Sequence, residues 1–378
     1  MSLKHGFTKF FEANPDRLHF AAHSHHPWPD VSLEAHTEAW NDASGLADDK
    51  WEKVFGEVIP ETQRLIAGTV KLADPSTIVF APNTQDLVAR LFSCLEPPVR
   101  VLTTDAEFHS FNRQSRRWEE AGLAIVDRVP AEPFDSFSER FTREIRAGAY
   151  DLAYMSQVFF DSAHAVSDLD RIVSSSPNDS AFIVVDGYHA FMALPVDLGA
   201  IQDRIFYLAG GYKYAMAGEG ACFMHCPPGY GPRPVDTGWY AGFGQLESGV
   251  SERVPYATDG TRFAGATHDP SGIYRMRAVL RWLADEEVTP ADIHAQVEAL
   301  QRRLLDAGPV PGVLTPPDGA DRGNFLTFES QAAGDMYHRL HQRQVITDYR
   351  KDRLRVGFGI YQDPSDVDEL ARHLADLV

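Results

Sequence analysis

Between residues 77 and 224 the chain repeats one pattern, a short apolar run closed by a Gly, Asp, Pro or polar residue and then an amphipathic stretch. Thr77–Phe80, Val99–Leu102, Leu123–Val126, Asp151–Met155, Ala181–Val185, Ile205–Leu208 and Ala221–Met224 read as strands, and Thr84–Leu95 and Phe111–Ala121 as helices. Runs that are apolar throughout, without alternating polar residues, belong to strands covered on both faces. Strands that alternate with helices predict an open, mostly parallel sheet. Upstream, Leu33, Trp40, Trp51, Val54, Phe55 and Val58 recur at helical spacing from Ser32 to about Leu72, with Pro60 placed to bend or divide the pattern. Downstream, a Gly-rich segment (236–249) precedes a long helix, Ser271–Glu287, with Ile273, Met276, Val279, Leu280 and Leu283 on one face. The expected organisation is a large α/β domain over 1–270 and a smaller α+β domain over 271–378.

Charge and composition narrow the function. With 44% hydrophobic and 24% charged residues the chain is neither disordered nor collagen-like. A net charge of −19 with no Lys/Arg-rich block disfavours nucleic acid and anionic membrane surfaces as partners. Three cysteines in 378 residues fit a reducing compartment, and the N-terminal stretch lacks an uninterrupted apolar run, so the cytoplasm is the expected location.

Open α/β sheets bind ligands beyond the carboxyl ends of their strands, so the residues that close the apolar runs are the candidates for chemistry. Asp186 closes AFIVV, and His189 follows three residues later. In isolation this pair also reads as a turn cap and a packed histidine. Lys213 follows the next strand in GGYKYAMAGEG. Desolvation among aromatic and small residues would lower its pKa and make it a candidate Schiff-base amine, while a lysine reaching from a loop to water is the plainer reading. Asp and Lys on neighbouring strand ends are the minimum protein contribution to a pyridoxal 5′-phosphate site. Asn83 and Thr84 open the helix after the first strand, where free N–H groups favour a phosphate, although either residue also serves as a simple N-cap. A metal reading of His19, His23, His25, His26 and Asp30 lacks a second convergent contributor, and Cys222, His225 and Cys226 read as core, so no metal site is expected.

Several segments carry a family resemblance. VDGYHAF around Asp186 resembles the Asp-x-x-His segment of the class V aminotransferase group of fold-type-I pyridoxal phosphate enzymes, and GGYKYAMAGEG resembles that group's cofactor-lysine segment. TGWY at 237–240 is similar to a Gly-Trp turn, and VITDYRKDRLRVGFGIY (345–361) resembles the segment of kynureninases that ends in Arg-x-Gly-Phe and a Tyr. The resemblance implies the fold-type-I architecture and a homodimer with shared active sites. It also implies hydrolysis of the Cβ–Cγ bond of kynurenine or a related 2-amino-4-oxo acid with release of alanine. The alternative is a class V aminotransferase or another β-lyase. Cysteine desulfurase chemistry needs a late, mobile nucleophilic cysteine, and none follows Cys226.

The roles the resemblance implies fall on named residues. Lys213 would bind the cofactor aldehyde, Asp186 its ring nitrogen, and Phe108 would stack on the ring beside His189. Gln157 would lie near the ring hydroxyl. Tyr212 would contact the phosphate and be placed to shuttle a proton, with Asn83 and Thr84 at the cradle. Trp239 and Thr267 would reach the phosphate of the neighbouring subunit, and Ser24 and Arg355 would meet the substrate, Arg355 through its carboxylate. The chain departs from the pattern at His23, His25 and His26, which flank Ser24 where kynureninases read Asn-Ser-Leu-Gly, and at Phe111, where they carry an Asp.

Overall fold

The computed structural model describes residues 2–245 and 253–377, so the end of the Gly-rich segment 236–249 lies outside the described residues. In chain order the strands are β1 Leu18–His19, β2 Ile78–Ala81, β3 Val99–Thr104, β4 Ala124–Val129, β5 Leu152–Ser156, β6 Phe182–Asp186 and β7 Ile205–Gly210. They continue with β8 Cys222–His225, β9 Val313–Leu314, β10 Phe325–Glu329, β11 Val345–Ile346, β12 Asp348–Arg350 and β13 Arg353–Gly357. Seven of them form one sheet in the order β2-β8-β7-β6-β5-β3-β4. All neighbours in it are parallel except β8, which runs antiparallel to both β2 and β7.

Strand geometry sends successive side chains to opposite faces. Ile78, Phe80, Ala153, Met155, Ile183, Val185 and Tyr207 accordingly enter one core, and Val79, Leu152, Tyr154, Val184, Phe206 and Leu208 the other. β5, β7 and β8 are buried along their whole length, which is why their sequences are apolar without alternation. On the first face lie helices Val31–Leu46 and Ile59–Val70. Pro60 occupies the first turn of the second of these, directly after a π-type turn at Val54–Val58, but the chain stays helical across it; the predicted helical stretch divides instead at Ala47, where φ is 49°.

A second sheet, β12-β13-β10-β9, packs with helices Pro290–Asp306 and Pro364–Ala375 around a third core. Phe20, from far upstream, joins that core. Helix Ser271–Asp285, which the sequence places at the start of the second domain, puts Ile273, Met276, Val279 and Leu283 into the core of the large sheet. Among the described residues no helix is long and apolar enough to cross a membrane.

Candidate active site

The register of the large sheet aligns the residues that end its strands. Ser156 on β5 pairs with Asp186 on β6 and Asp186 with Leu208 on β7, while Cys222 on β8 pairs with both Gly210 and Ala81. The loops beyond this row enclose a cavity of about 460 Å³ lined by Asn83, Thr84, Phe108, Asp186, His189, Tyr212 and Lys213, with Ser156, Phe160, Tyr188 and Cys222. Seven of the sequence-predicted residues are therefore brought together. The turn that does this depends on Gly187, where a Cβ would stand 2.0 Å from the Tyr207 hydroxyl. Any side chain there would have to displace the buried Tyr207 ring or shift the turn.

Lys213 is 5% exposed, and its Nζ lies 2.7 Å from His189 Nε2 and 5.1–5.7 Å from the ring centres of Phe108, Tyr188 and Tyr212. Burial pulls its pKa down to about 7, Asp186 opposes that shift, and the Arg355 charge reinforces it. His189 is buried beside this amine and its pKa falls well below the usual value, chiefly from desolvation. Asp186 accepts from the Tyr154 hydroxyl at 2.9 Å and from the Tyr188 N–H at 2.9 Å. Among the described residues it has no ion-pair partner, and burial raises its pKa. A carboxylate at a cavity wall, held by two neutral donors, fits a cationic ring N–H presented from the cavity. The amine, the carboxylate and the aromatic Phe108 together fit pyridoxal 5′-phosphate.

The other five predicted residues, Ser24, Gln157, Trp239, Thr267 and Arg355, are not among the residues lining this cavity. Gln157 follows the last residue of β5, so it points away from Ser156. It accepts from Tyr207 on the opposite face at 3.3 Å and lines a different cavity, so the structure does not bring it to the cofactor side. Asn83 is the N-cap of helix Thr84–Phe92 through Asp86 N–H, the plain role that its position also allowed. Trp239 is 44% exposed and donates to Thr267 Oγ1 at 3.1 Å, away from the cavity lining. Ser24 contacts His25, whose ring stacks on Tyr212 at 5.3 Å. Arg355, 3% exposed, donates to the carbonyl of the cavity-lining Phe160 and to Asp348. Among the described residues no group of three His, Cys, Asp or Glu side chains is placed to hold a metal ion.

Sequence reasoning did not find Tyr154, Glu107 or Asp348. Phe111 stacks on Tyr154 at 3.5 Å with rings almost parallel, so the departure at position 111 braces the phenol that holds Asp186. Glu107, adjacent to Phe108, is buried and accepts from Thr104 Oγ1 (2.7 Å), Ser156 Oγ (2.6 Å) and Ser156 N–H (3.1 Å). Desolvation lifts its pKa to about 8 against these bonds, and the bonds fix the turn carrying Phe108.

Comparison with solved structures places the fold. A cystine C-S lyase, C-DES, in complex with its reaction product cysteine persulfide superposes with a TM-score of 0.84 at 18% identity, covering 97% of this chain and 99% of that one. The cysteine desulfurase CsdA from Escherichia coli gives 0.79 at 16% identity over 99% and 97%. The fold is that of fold-type-I pyridoxal phosphate enzymes. Within fold type I, a C-DES variant with glycine covalently linked to its PLP cofactor matches at a TM-score of 0.82, 18% identity and full coverage of both chains. A model of the kynureninase C-terminal domain matches residues 294–374. A probable cysteine desulfurase of Mycolicibacterium paratuberculosis is 22% identical over 325 residues, 83% of this chain. The match spans 43% of that relative's length.

Proposed function

We propose that the protein is a pyridoxal phosphate-dependent enzyme of the class V group that breaks a bond at Cβ of an amino acid, a β-lyase. The observation that carries the reading is the buried Lys213 amine in one cavity with Asp186 and Phe108. When bound, pyridoxal phosphate supplies an electron sink that makes the substrate α-proton acidic. Asp186 holds the ring N–H, and Phe108 supports the ring. Lys213, with a pKa of about 7, is poised to take a proton and return it near neutrality, with His189 at 2.7 Å as its neighbour. Arg355 anchors the α-carboxylate. Tyr212 and the N-terminus of the helix beginning at Thr84 would hold the phosphate.

The likeness to a C-S lyase supports a sulfur leaving group. Cys222 lines the cavity but is buried against Tyr188, and its thiol is pushed up to about 11, the opposite of a sulfur-accepting nucleophile. This argues for release of the sulfur group rather than its transfer to the protein. The second reading, hydrolysis of the Cβ–Cγ bond of kynurenine or a related 2-amino-4-oxo acid, is supported by the kynureninase C-terminal match over 294–374, which contains Arg355. A homodimer is part of the proposal, supported by the exposed Trp239 and Phe243 beside Thr267.

Incubation of purified, cofactor-loaded protein with cystine, cysteine, kynurenine and 3-hydroxykynurenine separates the readings. Pyruvate and ammonia mark the lyase, and alanine from a kynurenine marks the hydrolase. A keto acid formed only with an amino acceptor marks an aminotransferase. None of these products from any substrate overturns the enzymatic reading.

A further inference from the structure

The hairpin that delivers Arg355 delivers a carboxylate with it. β12 and β13 are antiparallel with Asp348 directly opposite Arg355, so the two side chains share a face at neighbouring Cβ positions. Arg355 Nη2 donates to Asp348 Oδ2 and Nη1 to the Phe160 carbonyl. A guanidinium read as the anchor for a substrate carboxylate therefore already holds one. The other oxygen of Asp348, Oδ1, accepts from Arg350 Nη1 at 2.5 Å and from the Tyr349 N–H at 2.6 Å.

His23 completes the group. It is fully buried, stacks on Phe325 at 4.6 Å, and places Nε2 3.9 Å from Asp348 Oδ2. Neither ring nitrogen has a hydrogen-bond partner among the described residues. Its ring packs directly on Gly357, where a Cβ would come within 2.1 Å of His23 Nδ1. A buried imidazole with neither nitrogen satisfied carries its desolvation penalty without compensation, so an acceptor brought within reach would be favourably bound. Its nearest charged acceptor is the oxygen that Arg355 now holds.

We propose that Asp348 is a resident carboxylate that Arg355 exchanges for the α-carboxylate of the substrate, and that Arg350 and His23 hold Asp348 while Arg355 is engaged. The proposal rests on Arg355 being the carboxylate anchor. Before substrate arrives, Asp348 prevents Arg355 from standing as an unpaired buried charge. Two arginines and one aspartate leave one net positive charge, which suits a ligand with a single carboxylate at this end. His23 stays neutral, because burial and the Arg355 charge depress its pKa, and it contributes an N–H rather than a second cation. Asp348 and His23 are positioning residues in this scheme.

The test titrates the cofactor-loaded protein with L-alanine and with L-alaninamide, which lacks the carboxylate, and follows the visible absorbance of the cofactor. Asp348→Asn removes the competitor and should tighten alanine by about three- to tenfold, with alaninamide unchanged within about twofold. His23→Phe keeps the stack on Phe325 but removes the N–H. It should weaken alanine by a similar factor and spare alaninamide. A merely structural disturbance moves both ligands together, and that result overturns the proposal. Arg355→Lys is the reference. If it leaves alanine binding unchanged, the anchor reading fails and the exchange with it. If it weakens alanine alone while neither other variant shows a carboxylate-specific change, the anchor stands and the exchange is wrong. Should Asp348→Asn fail to fold, His23→Phe against that reference decides.

Discussion

Lys213 and Arg355 are two basic side chains buried almost equally, at 5% and 3% exposure, under opposite electrical conditions. Lys213 faces aromatic rings and a neutral histidine, and its proton is loosely held. Arg355 is desolvated too, but Asp348 stands opposite it and a guanidinium does not surrender its proton near neutrality. Burial alone thus does not decide what a buried cation is for. A buried lysine that is not ion-paired can serve as a base, and a buried guanidinium paired with a carboxylate serves recognition.

The largest effect expected from breaking this comparison is at the base. Lys213→Ala should lower turnover by about 10²–10⁴-fold, and borohydride should no longer fix pyridoxal phosphate to the chain. A label on another lysine would place the chemistry elsewhere. Asp186→Asn keeps the shape and loses the charge, so the cofactor should stay bound while turnover drops by on the order of a hundredfold. Wild-type rates in that variant would remove the ring-nitrogen role. Arg355→Lys retains the charge but not the planar fork. Substrate binding should weaken by about 1.5–3 kcal/mol, roughly ten- to hundredfold, with the cofactor spectrum intact.

The smallest change is one of pH. Lys213 must be neutral to capture the cofactor aldehyde, and its lowered pKa of about 7 leaves roughly half of it neutral at pH 7. Capture by the cofactor-free protein should rise with pH up to that region and then gain only about twofold between pH 7 and 9. An ordinary lysine would gain about a hundredfold over the same interval. A rate that keeps climbing toward pH 10 would show that the amine is not desolvated.

The two ends of the crevice were not equally legible in the sequence. The crevice floor was readable because Asp186 ends β6 and Lys213 follows in the loop just past Gly210, the end of the neighbouring β7, so the parallel strands bring both to one edge. Asn83 and Thr84 were readable for the same reason, although Asn83 spends its side chain on the helix cap. Gln157 was misplaced because alternation beyond a strand end turns on one residue, and it is Ser156 that faces the cavity. Tyr154 lay inside an apolar run where nothing marks a phenol as a ligand of the next strand. Asp348 needed the hairpin register. Once the turn at Lys351, which has a positive φ, is known, positions 348 and 355 must face each other.

The parallel pairing of β1 with β11 has a consequence for how such chains diversify. Leu18 and His19 lie beside Val345 and Ile346, and the Phe20 carbonyl accepts from the Gly357 N–H at 2.7 Å, so the segment leading to His23 is stitched to the hairpin that bears Asp348 and Arg355. Two segments more than three hundred residues apart in sequence thus build a single wall. A chimera that exchanges only residues 294–374 with a relative would import the arginine and its aspartate but leave their histidine neighbour behind. A graft that also carries residues 18–26 would transfer the wall intact, so substrate preference in recombined proteins should follow the paired exchange rather than the C-terminal block alone.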